Sequence, residues 1–589
     1  MTSLSDLKVL ALDCQATGAN PAKGHLLEIA WVPACASAPE TRVISALQSY
    51  LVRLPDQAAI PRAVQRITGI SDPSLSSAIP SNMAWHHLLT AAGETAAANH
   101  LLACPLVVHF ARFEVPFLQD LHRRHGPAGP FPFRILCTHE IAIRLRPDLP
   151  RRGIRAMAGY YGHPLPEFKR SGDHAVATAL IWQKMVELLN TACGISKLEQ
   201  LIDWLASTRP AGRSQRTFPM DPQLRRHLPD KPGIYRMLAG NGDLLYIGKA
   251  KSLRQRVNSY FRQKAPLAEH TLEMLTQARG LDVTRTGSAL EAALLESDEI
   301  KRYSPPYNIA LRRLQRRLVY CGRDLSRRDA LDDKEYLAGP LPAGKSSEAL
   351  AAFGIWFNNA MQLDVDNAAG IGYAMLTLPA EYAPEIDCLQ QGFERFGRQH
   401  RDRSVNQTPL RFLTSLGAKL WQEKLAAAAL AESAGENPDN AAEDDGQQNE
   451  AGDEFVWTPP AVAGAIERMI MHSAHLIRRA RWYCLLSDST LAWTAAEPAQ
   501  ENKIMVVFEN GRIIERNELI SAGELALSPG FARSFRDRQK NIDLKTYDRL
   551  RVLTTELRRI LSEGRNIELR LGPRTILRRQ QLAKVLQWV

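Results

Sequence analysis

Pro-Gly-Ile-Tyr-Arg-Met-Leu-Ala-Gly-Asn-Gly-Asp-Leu-Leu-Tyr-Ile-Gly-Lys, at residues 232–249, is the stretch that says most about the fold of this chain. Its two apolar runs flank Gly-Asn-Gly-Asp, a combination typical of a tight turn between antiparallel strands. Side chains on neighbouring strands of a hairpin lie close together. We therefore expect Tyr235 and Tyr246 to face one site.

The residues that follow predict a helix beside this hairpin. Ser252 is a helix-capping residue, and the apolar residues after it recur with helical spacing up to Phe261. Arg256 and Tyr260 are four positions apart, which places them on one face of such a helix. The predicted helix thus adds a guanidinium group and a third phenol to the hairpin.

This constellation resembles the GIY-YIG nuclease domain, most closely that of the UvrC and Cho endonucleases. The match continues at residues 291–308, where Glu-Ala-Ala-Leu-Leu-Glu-Ser-Asp-Glu-Ile-Lys-Arg-Tyr-Ser-Pro-Pro-Tyr-Asn resembles the Glu-bearing helix and closing Tyr-Asn of the family. A lone GIY triplet arises often by chance, whereas five elements in the right order are specific. The resemblance implies a metal-dependent DNA endonuclease domain.

The resemblance also implies roles for individual residues. Glu296 would bind Mg²⁺ or Mn²⁺, hard cations that prefer oxygen ligands. Tyr246 would deprotonate the attacking water, and Lys249 together with the metal would favour its ionised form. Arg256 would hold the scissile phosphate, because its guanidinium can bind two oxygens. The other catalytic candidates are Tyr235, Tyr260 and Asn308.

Basic residues near this site predict contact with a nucleic-acid backbone. The chain has 74 Lys and Arg against 63 Asp and Glu, and the resulting charge of +11 favours a polyanionic partner. Residues 244–268 contain no acidic residue, and residues 301–329 carry nine Lys or Arg against two Asp. The candidate DNA-binding residues are Lys251, Arg254, Lys301, Arg312 and Arg313.

The first 195 residues predict an α/β domain. Apolar runs indicate strands at 7–12 and 26–33 and a further short run at 104–110, with helical spacing near 61–68, 111–123, 152–161 and 173–190. Asp-Cys-Gln-Ala-Thr-Gly at 13–18 resembles the opening motif of the DnaQ-like (DEDDh) 3′–5′ exonucleases. Supporting matches lie at 67–70, 109–114 and 175–178.

The metal-binding residues of that exonuclease family are only partly present. Asp13 matches the pattern and Glu114 stands where an Asp is expected, so these two would form a remnant metal site. Gln15, Lys169 and His174 replace a Glu, the catalytic His and the final Asp, and they cannot do the same chemistry. We expect an inactive exonuclease fold; an alternative alignment would make Asp173 the final ligand.

The predicted fold class is multidomain α/β: an RNase H-like exonuclease fold, a small GIY-YIG domain, and a C-terminal α+β region after an acidic linker. Residues 339–342, Gly-Pro-Leu-Pro, resemble the segment that follows the nuclease domain in UvrC and Cho. The expected divisions are 1–195, a connection at 196–228, 229–315, 316–430, a disordered linker at 431–457, and 458–589. In the last domain we predict strands at 482–494 and 503–515, an Asn-Gly hairpin at 510–511, and a helix at 545–563.

These features favour a nucleotide-excision-repair endonuclease that nicks one strand 3′ to a lesion marked by a UvrB-like partner. We find neither the second nuclease domain of UvrC nor its tandem helix-hairpin-helix end, which implies one incision. The alternatives are a dual nuclease with an active 3′–5′ exonuclease, and a non-catalytic DNA-binding adaptor. Dispersed cysteines and the lack of a signal or apolar span predict a bacterial cytoplasmic, nucleoid-associated protein without a membrane partner.

Overall fold

The computed structural model divides into two compact units, Met1–Arg312 and Arg313–Val589. The residues that it describes are 2–39, 44–56, 58–163, 169–207, 215–262, 266–308, 317–328, 336–363, 368–377, 383–433, 457–494, 503–519 and 525–589. Most of the predicted acidic linker and the candidate DNA-binding residues Arg312 and Arg313 lie outside them. No helix among the described residues is long and apolar enough to cross a membrane.

The first unit begins with a five-stranded sheet in the order β3-β2-β1-β4-β5. Its strands are β1 (Lys8–Ala16), β2 (Leu26–Cys35), β3 (Gln48–Leu51), β4 (Cys104–Val108) and β5 (Phe133–Cys137). Strands β1, β4 and β5 run parallel, and β2 and β3 pair antiparallel to their neighbours. Residues 9–14 are buried because hydrophobic cores cover both faces of β1.

Helices cover both faces of this sheet. They are α1 (Arg62–Thr68), α2 (Ser81–Ala98), α3 (Ala111–His125), α4 (Thr138–Leu145), α5 (Ile154–Tyr160), α6 (Ser171–Cys193) and α7 (Leu198–Ala206). The α/β class predicted for this region is confirmed, and the predicted strands and helices are found within a few residues of their expected bounds. Helices α2 and α4 and strands β3 and β5 were not predicted; α2 is rich in Ala, so its apolar face gives only a weak periodic signal.

A small second domain completes the first unit. Its sheet has the order β7-β6-β8, from β6 (Gly233–Leu238), β7 (Leu244–Ala250) and β8 (Gly280–Arg285), and all pairs are antiparallel. Its helices are α8 (Gln223–Arg226), α9 (Leu253–Ser259), α10 (Glu269–Gln277) and α11 (Ala289–Tyr303). The predicted hairpin and the helix capped by Ser252 are both present, and the Ser252 side chain accepts a hydrogen bond from the Gln255 backbone.

The expected connection at 196–228 is divided between the two domains of this unit. Leu198 and Leu201 are buried in the core of the N-terminal domain, whereas Met220 and Leu228 are buried with the β6–β7 hairpin. The core of the small domain therefore includes residues that precede the predicted boundary at 229. The composition of the connection did not reveal these buried positions, because isolated apolar residues in a basic, turn-rich stretch show no periodicity.

The second unit contains two sheets and a set of long helices. Its strands are β9 (Leu318–Gly322), β10 (Arg327–Arg328), β11 (Tyr336–Pro342), β12 (Thr490–Thr494), β13 (Lys503–Glu509), β14 (Arg512–Leu519), β15 (Ile567–Arg570) and β16 (Ile576–Arg578). Its helices are α12 (Lys345–Asn358), α13 (Ala368–Leu376), α14 (Ile386–Ser404), α15 (Pro409–Ser433), α16 (Pro459–Leu486), α17 (Phe535–Lys540), α18 (Leu544–Ser562) and α19 (Arg579–Leu586). The two sheets have the orders β10-β9-β11 and β14-β13-β12-β15-β16.

Helix α16 corrects two expectations for this unit. The strand predicted at 482–494 is wrong in its first part, because α16 continues to Leu486 and the strand starts only at Thr490. One core holds residues from Val319 to Ala480, so α16 packs with the helices before the acidic segment as well as with α18. The predicted Asn510-Gly511 hairpin and the helix near 545–563 are both found, the latter as α18.

Candidate active site

Three tyrosines converge beside the β6–β7 hairpin. Tyr235 on β6 is fully buried, and its hydroxyl shares a hydrogen bond of 2.8 Å with that of Tyr260, at the end of α9. The ring of Tyr246 on β7 lies 6.1 Å from that of Tyr235, between centroids. The expectation that Tyr235 and Tyr246 face one site therefore agrees with the geometry.

Gly248 allows these rings to come together. A Cβ atom at this position would lie under 3.0 Å from the Tyr235 hydroxyl and 2.8 Å from Cε1 of Tyr246. Real Cβ atoms essentially never show such contacts, so a side chain here would displace one of the rings. The glycine at the end of the Tyr-Ile-Gly triplet is thus a steric requirement of the tyrosine cluster.

Arg256 completes a polar network on the same side of the sheet. Its Nη2 donates a hydrogen bond of 3.1 Å to the Tyr260 hydroxyl, and the guanidinium lies 4.9 Å from the centre of the Tyr260 ring. Burial alone would lower the pKa of Arg256, but the neighbouring tyrosines Tyr235, Tyr260 and Tyr246 raise it. A guanidinium has five N–H donors, so this side chain can bind a phosphate while keeping its contact with Tyr260.

Glu296 on α11 reaches the end of β7. Its Oε1 accepts a hydrogen bond of 3.0 Å from the Lys249 backbone N–H, and its Oε2 lies 3.8 Å from the Lys249 ammonium. The Glu296 side chain is 15% exposed, so its carboxylate is fixed but still meets solvent. These contacts hold the carboxylate in one orientation at the edge of the tyrosine cluster.

The donor set suits a hard divalent cation. Mg²⁺ commonly binds through one or two carboxylates and keeps several water molecules. Glu296 provides one such carboxylate, and no cluster of three or more His, Cys, Asp or Glu in the described part of the chain could hold a metal. Glu296 therefore fits Mg²⁺ or Mn²⁺ with water ligands, whereas structural zinc requires more protein ligands.

Burial and neighbouring groups change the pKa of Tyr246. Burial raises the pKa of Tyr246 above its ordinary value, and Tyr260 and Glu296 raise it further, while Arg256 opposes them. Burial likewise raises the pKa of Tyr235. The Lys249 ammonium lies 3.8 Å from Glu296 Oε2, and its role in favouring the Tyr246 phenolate stays a prediction.

Asn308 and Tyr307 support the back of β7. Asn308 is buried; its Oδ1 accepts from the Ile247 N–H at 2.9 Å and its Nδ2 donates to the Ile247 carbonyl at 2.8 Å. Both hydrogen bonds lie inside the Tyr-Ile-Gly triplet. The amide thus positions the strand that carries Tyr246, and a direct part of Asn308 in the reaction stays a prediction.

The candidate DNA-binding residues are distributed around this site. Lys251 and Arg254 are exposed just after β7, and Lys301 is half-buried on α11. Lys251 and Arg254 lie where a nucleic-acid backbone can reach them, whereas the ammonium nitrogen of Lys301 is buried.

Residues of the N-terminal domain also reach this region. Arg155 on α5 lies 3.5 Å from the Glu273 carboxylate and 4.6 Å from the centre of the Tyr307 ring. The Tyr307 hydroxyl donates to the same carboxylate at 2.7 Å, and the Arg151 backbone N–H donates to Thr276 at 3.1 Å. Sequence reasoning missed this contact, since no local pattern shows that residues 118 or more positions apart will meet.

In the exonuclease-like domain, a histidine occupies the place of a ligand. Asp13 is buried at the end of β1, and its Oδ1 lies 3.2 Å from Nδ1 of His174. Asp173, the alternative ligand, is exposed on α6, so the geometry follows the alignment that puts His174 at the final position. Burial raises the pKa of Asp13, and burial followed by the charge of Asp13 raises that of Glu114.

A second carboxylate near Asp13 was not predicted. Glu28 on β2 lies opposite Gln15 in the strand register and is buried. It accepts hydrogen bonds from the Arg170 guanidinium at 2.5 Å and from the Ser171 backbone N–H at 2.9 Å. A lone acid inside an otherwise apolar strand was the available signal, because a buried carboxylate needs a partner. Arg170, which follows the exposed Lys169, meets that need.

Comparisons with known proteins match particular parts of the chain. Residues 231–309 match the model of the UvrC-like GIY-YIG domain. UvrABC system protein C of Sphingopyxis alaskensis is 52% identical over 87 residues, which cover 15% of this chain and 13% of that protein. A putative bifunctional exonuclease/endonuclease protein of Mycobacterium tuberculosis is 27% identical over 314 residues, covering 52% of this chain and 45% of that one.

A solved structure matches the same small domain. The magnesium-bound GIY-YIG N-terminal endonuclease domain of UvrC from Thermotoga maritima is 33% identical, with a TM-score of 0.14; the match covers 15% of this chain and all of that one. The chain spans less than half the length of the two curated relatives given above. Residues 231–309 thus match a UvrC-like GIY-YIG domain, which this chain joins to an N-terminal α/β domain, and the two together lie in the half of the chain that resembles the bifunctional exonuclease/endonuclease protein.

Proposed function

We propose that this protein is a metal-dependent DNA endonuclease of nucleotide excision repair, which makes one nick 3′ to a lesion in DNA already bound by a UvrB-like damage-recognition protein. One observation carries the proposal: Tyr246, the Tyr260–Arg256 network and Glu296 converge on one side of a UvrC-like hairpin. We assign its place of action to the DNA of the bacterial cytoplasm.

The reaction that this arrangement supports is phosphodiester hydrolysis. A water oxygen forms a bond to phosphorus while the bond between phosphorus and the 3′ oxygen breaks. The water gives a proton to a base and the departing oxygen takes one up, which leaves a 5′-phosphate and a 3′-hydroxyl. Tyr246 is the base that the geometry favours, because Tyr235 is fully buried and Tyr260 is engaged by Arg256.

Each residue of the site then has a defined task. Arg256 orients the scissile phosphate with the N–H groups that Tyr260 leaves available. Glu296 would hold Mg²⁺ or Mn²⁺, and a divalent cation at that place supplies Lewis acidity to the phosphate and positive charge near Tyr246. Lys249 fixes the Glu296 carboxylate through its backbone N–H. Lys251 and Arg254, both exposed, bind flanking phosphates.

The experiment that tests this function uses end-labelled duplex DNA with one bulky adduct, Mg²⁺ or Mn²⁺, and a UvrB-like protein added or omitted. We expect a single nick on the 3′ side of the adduct that requires the partner. Tyr246→Phe and Glu296→Ala should each abolish it. Tyr303→Phe is the matched control, since Tyr303 is exposed on the same helix as Glu296 and should leave the nick unchanged.

Three results would contradict the proposal. Incision that survives Glu296→Ala removes the assigned metal ligand. Binding without any incision, under all metals and partners, leaves a DNA-binding adaptor. A ladder of shortening 3′ ends that disappears in Asp13→Ala shows a second nuclease in the N-terminal domain.

A further inference from the structure

Two neighbouring cavities in the second compact unit share a pair of arginines. The first, of about 770 Å³, has walls that include Arg478, Arg481, Arg536 and the exposed Phe535. The second, of about 500 Å³, has walls that include Arg478, Arg481, Lys584 and Trp588. Arg478 and Arg481 are one turn apart on α16, so their guanidinium groups lie on the same side of the helix.

These two arginines have no acidic counter-ion in the described part of the chain. Neither forms an ion pair with a described carboxylate, and residues 472–481 contain three Arg and two His without an acidic residue. Burial alone lowers the pKa of the half-buried Arg478. Burial, followed by Arg478 and Arg479, lowers the pKa of His475 to about 4. Positive charge is thus concentrated on this part of α16, and a bound anion would offset its desolvation.

Aromatic rings accompany the cations in both cavities. The Arg478 guanidinium lies 4.6 Å from the centre of the Trp588 ring, and Phe535 is 39% exposed at the first cavity. Cations that track a phosphate backbone, interleaved with aromatic surfaces for bases, are the recurring elements of single-strand binding. Each cavity has a volume suited to a group of nucleotide size.

We propose that the second compact unit binds single-stranded DNA across these two cavities, with phosphates on Arg478 and Arg481 and bases against Phe535 and Trp588. A duplex fits this arrangement poorly, because its bases are already stacked and paired. The choice of DNA over another polyanion rests on the proposed function. The site would hold an unpaired strand of the same DNA that the GIY-YIG domain incises.

Binding is tested with the full-length chain in EDTA, which stops incision, by the fluorescence anisotropy of a labelled thymidine oligonucleotide of about 15 nucleotides. Arg478→Ala/Arg481→Ala should weaken binding at least about tenfold and lower the slope of log K against log salt by about 1.4, or about 0.7 per lost phosphate contact. Trp588→Leu should weaken it by about fivefold or more. Arg468→Ala, at an exposed position of the same helix that lines neither cavity, should have no effect.

The outcomes separate this proposal from the function proposed above. Unchanged DNA affinity in the double variant would overturn the site. The site would also be overturned if poly-glutamate displaced the oligonucleotide at a lower concentration than unlabelled DNA does, because that result would indicate an acidic protein partner. If the double variant misfolds, the site can be tested by photocrosslinking DNA that contains bromodeoxyuridine to the unaltered chain. Adducts at Phe535 or Trp588 would support the site, whereas adducts confined to residues 1–312 would overturn it. Nicking in Mg²⁺ is scored separately, so loss of one activity does not imply loss of the other.

Discussion

Substitution of Gly248 by alanine is the most direct test of the tyrosine cluster. The new Cβ would lie under 3.0 Å from the Tyr235 hydroxyl and 2.8 Å from Tyr246 Cε1. Ordinary contacts begin near 3.4 Å, so at least one phenol must move. The nearer contacts are with Tyr235, which is buried and hydrogen-bonded to Tyr260, so the alanine should shift the whole tyrosine cluster, Tyr246 included.

The expected effect follows from the size of this displacement. Moving a reacting group by about 1 Å commonly reduces a rate by about 100-fold, so nicking should fall by at least that factor. Overpacking a close contact costs about 1–3 kcal/mol, and the domain should therefore remain folded with a lower melting temperature. DNA affinity should change little, since the exposed Lys251 and Arg254 are not displaced.

The assay compares single-turnover nicking, DNA affinity and melting temperature in the same preparations. Gly240→Ala is the matched control, because Gly240 lies in the exposed turn of the same hairpin and its Cβ would meet only Arg279 Cγ at 3.4 Å. Wild-type nicking by Gly248→Ala would refute the assignment of Tyr246 as a precisely placed base. Equal losses in both variants would trace the effect to the hairpin as a whole.

Three further outcomes are expected. Because burial raises the pKa of Tyr246, the nicking rate should rise by up to about tenfold per pH unit between about pH 6 and 8 as the phenolate fraction grows, and a flat profile would exclude this base. Burial lowers the pKa of His109 to about 3, so the neutral imidazole stabilises the fold fully above about pH 6.5, and this stabilisation is lost on acidification. Between pH 7 and 5 the free energy of unfolding should therefore fall by about 2 kcal/mol. Denaturant titrations of His109→Asn should not show this loss. Because Arg155 contacts Glu273 and Tyr307, Arg155→Ala should lower the melting temperature of the first unit by roughly 2 °C and slow nicking without changing DNA affinity. If DNA affinity alone were lost, Arg155 would be a DNA contact instead.

The small domain was predictable because its signals are local. The Gly-Asn-Gly-Asp turn, the Ser252 cap and the helical spacing of Arg256 and Tyr260 each fix a geometry within a few residues. The structure brings these pieces together as expected, with Glu296 added from α11. The pKa of Tyr246 was not predictable in the same way, since it depends on burial and on the charged and polar neighbours Tyr260, Glu296 and Arg256.

The charge pairs of the exonuclease-like site, in contrast, were not predictable from local sequence signals. Motif matching located Asp13, Glu114 and His174, but it could not show which charges compensate them. The Glu28–Arg170 pair arises from a strand and a helix start that are 142 positions apart. Likewise, the buried face of α16 packs against helices on both sides of the acidic segment, although α16 itself lies within the expected domain 458–589, and composition does not record such packing.

The internal pairing of charges in the exonuclease-like domain bears on what that domain contributes. Asp13 faces His174, Glu28 is bound by Arg170, and burial raises the pKa of Glu114. A pair of divalent cations needs several ionised carboxylates that are available to it, and this arrangement offers few. The contacts of α5 run instead to the small domain, where Arg155 meets Tyr307, the neighbour of the strand-supporting Asn308. We therefore expect the domain to contribute to the position of β7, and through it to Tyr246, which the Arg155→Ala variant tests.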